Sequence, residues 1–231
     1  MATVPSRRRT REIKYPTRDG KPMAETDLHR RDLTDTIQTL EDRFADRPRV
    51  YVSGNLMLCY EEGNPRKHVA PDVLVAFDVP KEPNRDHYLV WVEGKAPDFV
   101  AEITSKSTKK EDQKTKFETY RDLLRVTEYF LFDPRAEYLK PPLQGFRRVG
   151  GDYVSIEPIA GRLPSEVLGL HLERDGERLR LFDPATGQYL LTRLEAREAA
   201  ERLAEAAEAD RRRLAEENER LRRELEALQG R

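Results

Sequence analysis

The stretch PDFVAEITSKSTKKEDQKTKFETYRDLLRVTEYFLFDP, residues 97–134, decides the fold of this chain. An apolar run at 97–104 and another at 128–132 have the length and composition of buried strands. Between them, residues 111–125 place apolar side chains at helical spacing. A strand, a helix and a strand in this order predict a parallel pair joined by a crossover, and therefore an α/β fold.

The rest of the folded region adds one helix and several strands. Apolar residues recur at helical spacing from 25 to about 45, which predicts a helix ahead of the sheet. The further predicted strands are apolar runs bounded by turn residues, at 50–60, where a strand or a hairpin bends around Gly54-Asn55, at 71–77, at 88–92 and, as hairpins, between 145 and 191.

The two ends of the chain differ in composition from its middle. Residues 1–24 are basic and contain Pro and Gly, which predicts an irregular arm that either contacts phosphates or stays solvated. Residues 193–229 contain no Pro, Gly or aromatic residue and are dominated by Ala, Glu, Leu and Arg, which predicts a long helix. We therefore expect an arm at 1–24, a folded domain at 25–192 and a helix at 193–231.

Composition excludes several classes of protein. The 231 residues carry 42 basic against 43 acidic side chains, so the net charge attracts neither nucleic acid nor anionic membrane. The single cysteine, Cys59, excludes an internal disulfide and indicates a reducing compartment. The basic N-terminus lacks the apolar stretch of a secretory signal, and no apolar run of about 18 residues exists. We expect a soluble, cytoplasmic protein.

Two acids lie among apolar neighbours on predicted strands. Asp72 precedes Val-Leu-Val, and Glu102 follows Phe-Val-Ala. A buried carboxylate is costly unless it is paired, hydrogen-bonded or bound to a cation. Two such acids on one sheet can bind a hard cation such as Mg²⁺, which takes one or two carboxylates and keeps several waters. Taken singly, Asp72 is equally well explained as a turn cap and Glu102 as an edge residue facing water.

Lys116 and Tyr120 are the residues of the predicted helix that complete the pattern. They are four residues apart and therefore project from one face. A lysine beside a cation site can orient water or stabilise charge on a phosphate, and nearby carboxylates favour the electrostatic role because they keep it charged. By itself Lys116 is better explained as a solvated helix lysine, so the combination carries the hypothesis.

The order Pro71-Asp72, Glu102-Ile103-Thr104 and Lys116-x-x-x-Tyr120 ahead of the strand at 128–132 resembles the Uma family of restriction endonucleases. That family belongs to the PD-(D/E)xK nuclease superfamily. The similarity covers roughly residues 20–190 and is strongest at 97–134, a stretch that includes Asp112.

The resemblance implies a restriction endonuclease-like fold, in which helices flank a mixed sheet, and Mg²⁺-dependent cleavage of DNA, with Mn²⁺ as an alternative cofactor. Asp72 and Glu102 match the metal-binding acids. Lys116 matches the catalytic lysine, and Tyr120 is implied as a helper.

This chain departs from the family pattern in two places. The superfamily usually has a lysine two residues after the glutamate, where Thr104 stands, and the resemblance implies that Lys116 replaces it from the helix. Family members often carry a further acid near the N-terminus; the corresponding stretch at 17–21 has no glutamate, and Glu25 is the candidate substitute. His29 matches a histidine common in this helix and either lines the site or packs under the sheet.

Two further features leave alternatives open. The basic residues between 106 and 121 either receive a phosphate backbone or form a solvated helix start, because acids interrupt them. In the C-terminal helix, leucines recur at heptad position d, at 214, 221 and 228, and Asn218 occupies position a, where a buried asparagine favours a parallel, in-register dimer. Glu217 and Arg222 suit an interchain pair; a single solvated helix is the alternative.

Three functions remain in competition. The first is a metal-dependent endonuclease acting on DNA, made a homodimer by residues 193–231. The second is a nuclease-fold adaptor without catalysis that dimerises or recruits a partner through its coiled coil. The third is a hydrolase of RNA or nucleotides that uses the same cation chemistry.

Overall fold

The computed structural model describes residues 14–17 and 26–229. The chain divides into two compact units, Met1–Leu190 and Leu191–Arg231. In the described part of the chain, no helix has both the length and the apolar composition that crossing a membrane requires.

The first unit combines helices with three sheets. Its α-helices are α1 (Asp27–Arg43) and the short α2 (Val90–Glu93). Two π-helical segments, whose backbone hydrogen bonds span five residues, are π1 (Glu111–Lys116) and π2 (Thr119–Leu123). The strands are β1 (Val50–Ser53), β2 (Leu58–Cys59), β3 (His68–Val69), β4 (Val73–Phe77), β5 (Tyr88–Leu89), β6 (Phe99–Ile103), β7 (Glu128–Phe132), β8 (Leu143–Val149), β9 (Asp152–Ser155), β10 (Leu163–Ser165), β11 (Leu170–Asp175), β12 (Arg178–Asp183) and β13 (Gln188–Tyr189).

The largest sheet has six strands in the order β1-β4-β6-β7-β8-β9. Strands β6 and β7 run parallel, as the sequence predicted, and every other pair in this sheet is antiparallel. A four-stranded sheet has the order β10-β11-β12-β13, and a three-stranded sheet has the order β3-β2-β5. The predicted class, a mixed sheet flanked by helices, is confirmed.

Alternation along the strands gives the large sheet two buried faces. Val73 and Val75 contribute to a core with Leu40 of α1 and with the four-stranded sheet. Leu74 points the other way, into a second core that contains Tyr120 of π2. Glu102 alternates with Ala101 and Ile103 of the first core, so its side chain lies on the face that the π-helical segments cover.

The predicted hairpin around Gly54-Asn55 is wrong. Strand β1 pairs with β4, whereas β2 pairs with β3 and β5 in another sheet. A Cβ at Gly54 would stand 2.0 Å from the carbonyl oxygen of Asp72, and the Asn55 N–H donates to the carbonyl oxygen of Pro71 at 2.8 Å. The chain therefore runs across the entry to β4 instead of turning back, and this close approach requires glycine.

Other predictions need correction in detail. The strand predicted at 88–92 ends at Leu89, because the chain winds into α2, which Gly94 closes with φ +79°. The helix predicted at 111–125 is present, but most of it has the wider π winding. Asp72 lies directly before β4 and not within the strand. Of the predicted arm, residues 14–17 are described, and Tyr15 accepts a hydrogen bond from the Gly63 N–H at 2.8 Å.

The second unit consists of helix α3 (Arg193–Gln229). Its charged side chains form ion pairs along the helix, such as Arg212 with Glu208 and Arg223 with Glu219, each at 2.5 Å. Its larger apolar side chains are exposed, namely Leu194, Leu203, Leu214, Leu221 and Leu225. The long helix predicted for this region is thus present, and the named leucines are exposed in the part of the chain that the structure describes.

Candidate active site

Glu102 is the centre of a buried cluster of charged side chains. It lies on β6 and is 1% exposed. Lys116 of π1 donates to Glu102 Oε2 at 2.7 Å, and the Tyr120 hydroxyl of π2 donates to Oε1 at 2.7 Å. The strand and the helix that follows it thus bring together three of the four site residues predicted from the sequence.

The ammonium of Lys116 is held from several sides. Besides Glu102, it donates to the carbonyl oxygen of Ala70 at 3.1 Å and lies 3.5 Å from Asp112 Oδ1. Burial by itself would lower the pKa of Lys116, but the charges of Glu102, Asp72 and Asp112 raise it above its ordinary value. Lys116 therefore carries its charge at neutral pH, as expected from its acidic neighbours.

Asp72, the fourth predicted residue, is joined to the cluster through the backbone. Its Oδ2 accepts the Ile103 N–H at 2.7 Å, and its own N–H donates to Glu102 Oε2 at 3.4 Å. His29 Nε2 lies 3.6 Å from Asp72 Oδ1, which places His29 at the site. Burial works to raise the pKa of Asp72, but the interaction with the nearby His29 and the charge of Lys116 prevail and lower it.

Asp98 makes the same backbone contact at the opposite end of the β4–β6 pair. Asp72 directly precedes β4 and binds the last residue of β6; Asp98 directly precedes β6, and its Oδ2 accepts the N–H of Phe77, the last residue of β4, at 2.7 Å. Lys95 pairs with Asp98 at 2.8 Å, and both side chains are partly exposed. Two aspartates with one structural role thus sit in different electrostatic surroundings.

Asp112 was not among the predicted site residues, yet its side chain belongs to the cluster. It is 1% exposed, and neither carboxylate oxygen accepts a hydrogen bond of normal geometry from the described residues. Burial raises its pKa, against the opposing charge of Lys116. The spacing of four residues to Lys116 on one helix is the signal that could have identified it.

Thr104, which occupies the position of the superfamily's lysine, carries no charge. Thr104 is buried, and its hydroxyl oxygen has no hydrogen-bond partner among the described residues. Lys116 reaches Glu102 from the helix instead, across a sequence separation of 14 residues. The N-terminal acid that the family pattern predicts, with Glu25 as substitute, lies outside the described residues.

Two carboxylates of the cluster, those of Asp72 and Glu102, offer the donor oxygens that a divalent cation takes. The acidic groups of Asp72, Glu102 and Asp112 interact with the single ammonium of Lys116, so acidic groups outnumber ammonium groups in this cluster. Burial raises the pKa of Glu102, and the two other carboxylates reinforce that shift while Lys116 opposes it. No three or more His, Cys, Asp or Glu side chains in residues 14–17 and 26–229 are arranged to hold a metal ion. Asp72 and Glu102 match a cation such as Mg²⁺, which takes one or two carboxylates and water.

The basic segment of the predicted helix divides into two groups. Lys116 is buried in the cluster, and Arg121 pairs with Asp122 at 2.7 Å and with Asp152 at 3.2 Å. The other lysines of the segment are exposed or partly exposed, namely Lys106, Lys109, Lys110 and Lys114. These four are free to face a charged ligand in solution.

Comparison with known proteins gives one family. The model of the Uma2 family, described as "Putative restriction endonuclease", matches residues 4–210, which confirms the resemblance identified from the sequence. Among solved structures, the chain is similar to one from Anabaena variabilis described as "a putative nuclease belonging to DUF820", with 17% identity, a TM-score of 0.48, and coverage of 66% of this chain and 80% of that chain. No curated protein matches the chain.

Proposed function

Because this chain belongs to the Uma2 family, which is described as "Putative restriction endonuclease", we propose that it is an Mg²⁺-dependent endonuclease that hydrolyses phosphodiester bonds in DNA. The observation that carries the proposal is the buried Glu102, held by Lys116 and Tyr120 beside Asp72. A cluster with more carboxylates than cations, placed where the family pattern has its catalytic residues, is suited to a metal ion and a phosphate.

Asp72 and Glu102 are the residues proposed to hold the cation, Mg²⁺ or alternatively Mn²⁺. Both offer carboxylate oxygens, which hard cations prefer. When bound, such a cation neutralises charge on the phosphate and makes water more acidic. The Ile103 N–H fixes one oxygen of Asp72, so the aspartate is oriented before any ligand arrives.

Lys116 and Tyr120 have different proposed roles. Lys116 stays protonated, so it stabilises negative charge on the phosphate and does not act as a base. Tyr120 donates to Glu102 Oε1 and is itself fully buried, so it holds the glutamate in one rotamer. The exposed Lys106, Lys110 and Lys114 offer further positive charge for a phosphate backbone.

The test is DNA cleavage by purified full-length protein with Mg²⁺, Mn²⁺ or a chelator. Asp72→Asn should remove cleavage, whereas Asp98→Asn, which changes the matching contact at the other end of β4–β6, should retain it. Supercoiled, linear and single-stranded DNA and single-stranded RNA serve as substrates, and preference for RNA would favour the third function. Absence of cleavage by the wild-type protein with every metal and substrate would contradict the proposal.

We also propose that the chain is organised as a basic arm at 1–24, a nuclease domain at 25–192 and a coiled-coil helix at 193–231 that forms a parallel homodimer. Leu214, Leu221 and Leu225 are exposed on α3 and occupy heptad positions a and d. Ion pairs along the same helix occupy its other faces. An uncovered apolar seam on a charged helix is the feature that a second copy would bury.

Light scattering on the full-length protein tests the dimer. Leu221→Lys, at heptad position d, should shift the mass from dimer to monomer because it places two like charges in the seam. Leu203→Lys, at an exposed leucine outside positions a and d, is the control and should remain dimeric. A monomeric wild-type protein would refute this part of the proposal.

The second candidate function is an adaptor that uses the coiled coil without catalysis. The exposed leucines of α3 favour this function, because their exposure does not depend on whether the acidic cluster is catalytically active. A wild-type protein that cleaves nothing, together with self-association that Leu221→Lys abolishes and Asp72→Asn leaves intact, would establish this function over the first.

A further inference from the structure

Asp112 is a buried carboxylate that the proposed function leaves without a role. Neither of its oxygens accepts a hydrogen bond of normal geometry from the described residues, although the residue is almost completely buried. Its ion pair is with Lys116, at 3.5 Å. A buried, incompletely paired carboxylate is destabilising, so its presence beside a functional cluster calls for a functional explanation.

Two carboxylates interact with the Lys116 ammonium at different distances. Glu102 Oε2 receives the short hydrogen bond at 2.7 Å, and Asp112 Oδ1 lies farther away at 3.5 Å. In the proposed function, Glu102 also has to serve a divalent cation. A carboxylate that binds a cation has less negative charge left for an ammonium group, and the ammonium would be repelled by that cation.

We propose that Asp112 is a positioning residue for Lys116: it is the second anion that keeps the ammonium in the site when Glu102 binds a divalent cation. The inference rests on the proposed function, because it requires Glu102 to be a cation ligand. The carboxylate oxygens of Asp112, which accept no hydrogen bond of normal geometry from the described residues, are then acceptors available to Lys116.

The helix geometry supports this assignment. Asp112 and Lys116 both belong to π1, four residues apart, whereas Glu102 reaches Lys116 from β6. In an α-helix, the side chains of residues four apart point in directions that differ by about 40° around the helix axis. The wider π winding gives a different angle. The Tyr129 hydroxyl donates to the backbone oxygen of Asp112 at 3.0 Å and fixes this end of π1 to β7. Asp112 is therefore an anchored partner within the same helix as the lysine.

The test is Mn²⁺ binding by full-length protein without DNA, measured by electron paramagnetic resonance. Four proteins form a cycle: wild type, Asp112→Asn, Lys116→Gln and the double variant. Glu118→Gln, an exposed acid on the same helical stretch, corrects for the general loss of one negative charge. Circular dichroism and melting curves establish folding, and Asp112→Ser replaces Asp112→Asn if the latter does not fold.

We expect Asp112→Asn to raise the Kd for Mn²⁺ at least fivefold beyond the Glu118→Gln effect, because Glu102 is then the remaining ion-pair partner of Lys116 among the described residues. Lys116→Gln should bind Mn²⁺ at least as tightly as wild type, since the competing ammonium is gone. In that background, Asp112→Asn should change the Kd less than twofold. Asp112→Glu, which restores a carboxylate, should return the Kd towards that of wild type.

Other outcomes overturn the assignment in distinguishable ways. An equal loss in both backgrounds would make Asp112 a direct cation ligand. No loss in either background would make it a structural residue. A wild-type protein that binds no Mn²⁺ would instead refute the proposed function, and the role of Asp112 with it.

Discussion

Glu102 and Glu128 are two buried glutamates on neighbouring parallel strands, and they have opposite surroundings. Glu128, at the start of β7, is completely buried, and its Oε1 accepts from the Arg147 guanidinium and from the Glu166 N–H, each at 2.9 Å. Its Oε2 accepts from the Ser165 hydroxyl. Glu102, on β6, receives a comparable number of hydrogen bonds, but two other carboxylates interact with it.

The difference teaches that burial and hydrogen bonding do not by themselves mark a functional acid. Glu128 links β7 to β8 and to the end of β10, and it forms an ion pair with Arg147, which also pairs with the exposed Glu166. Around Glu102, one ammonium faces three carboxylates. The gathering of three acidic groups around one ammonium, and not the depth of burial, distinguishes the candidate site.

The largest effects are expected when each of the two glutamates is replaced separately by glutamine. Glu102→Gln should reduce DNA cleavage at least about 100-fold, equivalent to roughly 3 kcal/mol of barrier, without lowering the free energy of unfolding, because it removes a carboxylate from an overcharged cluster. Glu128→Gln should lower the free energy of unfolding by about 2 kcal/mol, because Arg147 loses a charged partner, while the folded fraction keeps its activity. Single-turnover cleavage and urea unfolding measure the two quantities.

Glu118→Gln, on the exposed side of the same helical stretch as Lys116, is the control and should change neither quantity. If Glu102→Gln and Glu128→Gln lower stability equally and neither selectively reduces cleavage, the proposed difference between the two glutamates is refuted. In that case Glu102 would be a second structural acid.

A third buried acid, Asp32 on α1, sharpens the comparison because it lies outside the site. Burial, opposed by Arg31, raises its pKa from 3.8 to about 6. A raised carboxyl pKa favours folding at low pH and loses that contribution as pH rises from about 4 to about 6. At pH 7, Asp32→Asn should therefore be more stable than wild type by on the order of 2 kcal/mol, with cleavage unchanged.

Urea unfolding of both proteins between pH 4 and pH 7 measures this effect. The advantage of Asp32→Asn should vanish near pH 4, where the aspartic acid is protonated in both states. An advantage that is the same at every pH would show that packing and not ionisation is responsible.

The smallest expected effect concerns the neutral donors of the two glutamates. Tyr120→Phe removes the hydroxyl that donates to Glu102 and should slow cleavage about tenfold, or about 1.4 kcal/mol, because the glutamate loses its orientation. Ser165→Ala removes the donor of Glu128 and should lower stability by about 1 kcal/mol without slowing cleavage. Equal effects of both variants on cleavage would remove the distinction between the two acids.

The sequence was sufficient for the parallel β6–β7 pair because both strands are continuous apolar runs with a helix between them. It also pointed to Glu102, Lys116 and Tyr120, which the structure places within hydrogen-bond distance. The roles assigned to these residues remain predictions.

Other features of the structure could not be predicted from the sequence. The helical spacing of apolar residues between 111 and 123 does not distinguish the observed π winding from an α-helix. The path across β4 at Gly54 was read as a hairpin, because Gly-Asn is also a turn signal and its close contact with Asp72 is long-range. The sequence marks Asp112 only as part of the stretch that resembles the family, since burial of a helix acid depends on the sheet beneath it.

Lys116 and Glu102 sit on separate elements, 14 residues apart, and this has a mechanical consequence. Two charges on one strand keep a constant spacing, because the strand moves as one body. Here, sliding the helix over the sheet by a fraction of an ångström would lengthen or shorten the ion pair while each element keeps its internal geometry. A contact on the outer surface of that helix that shifts the helix would thus change the distance between Lys116 and Glu102.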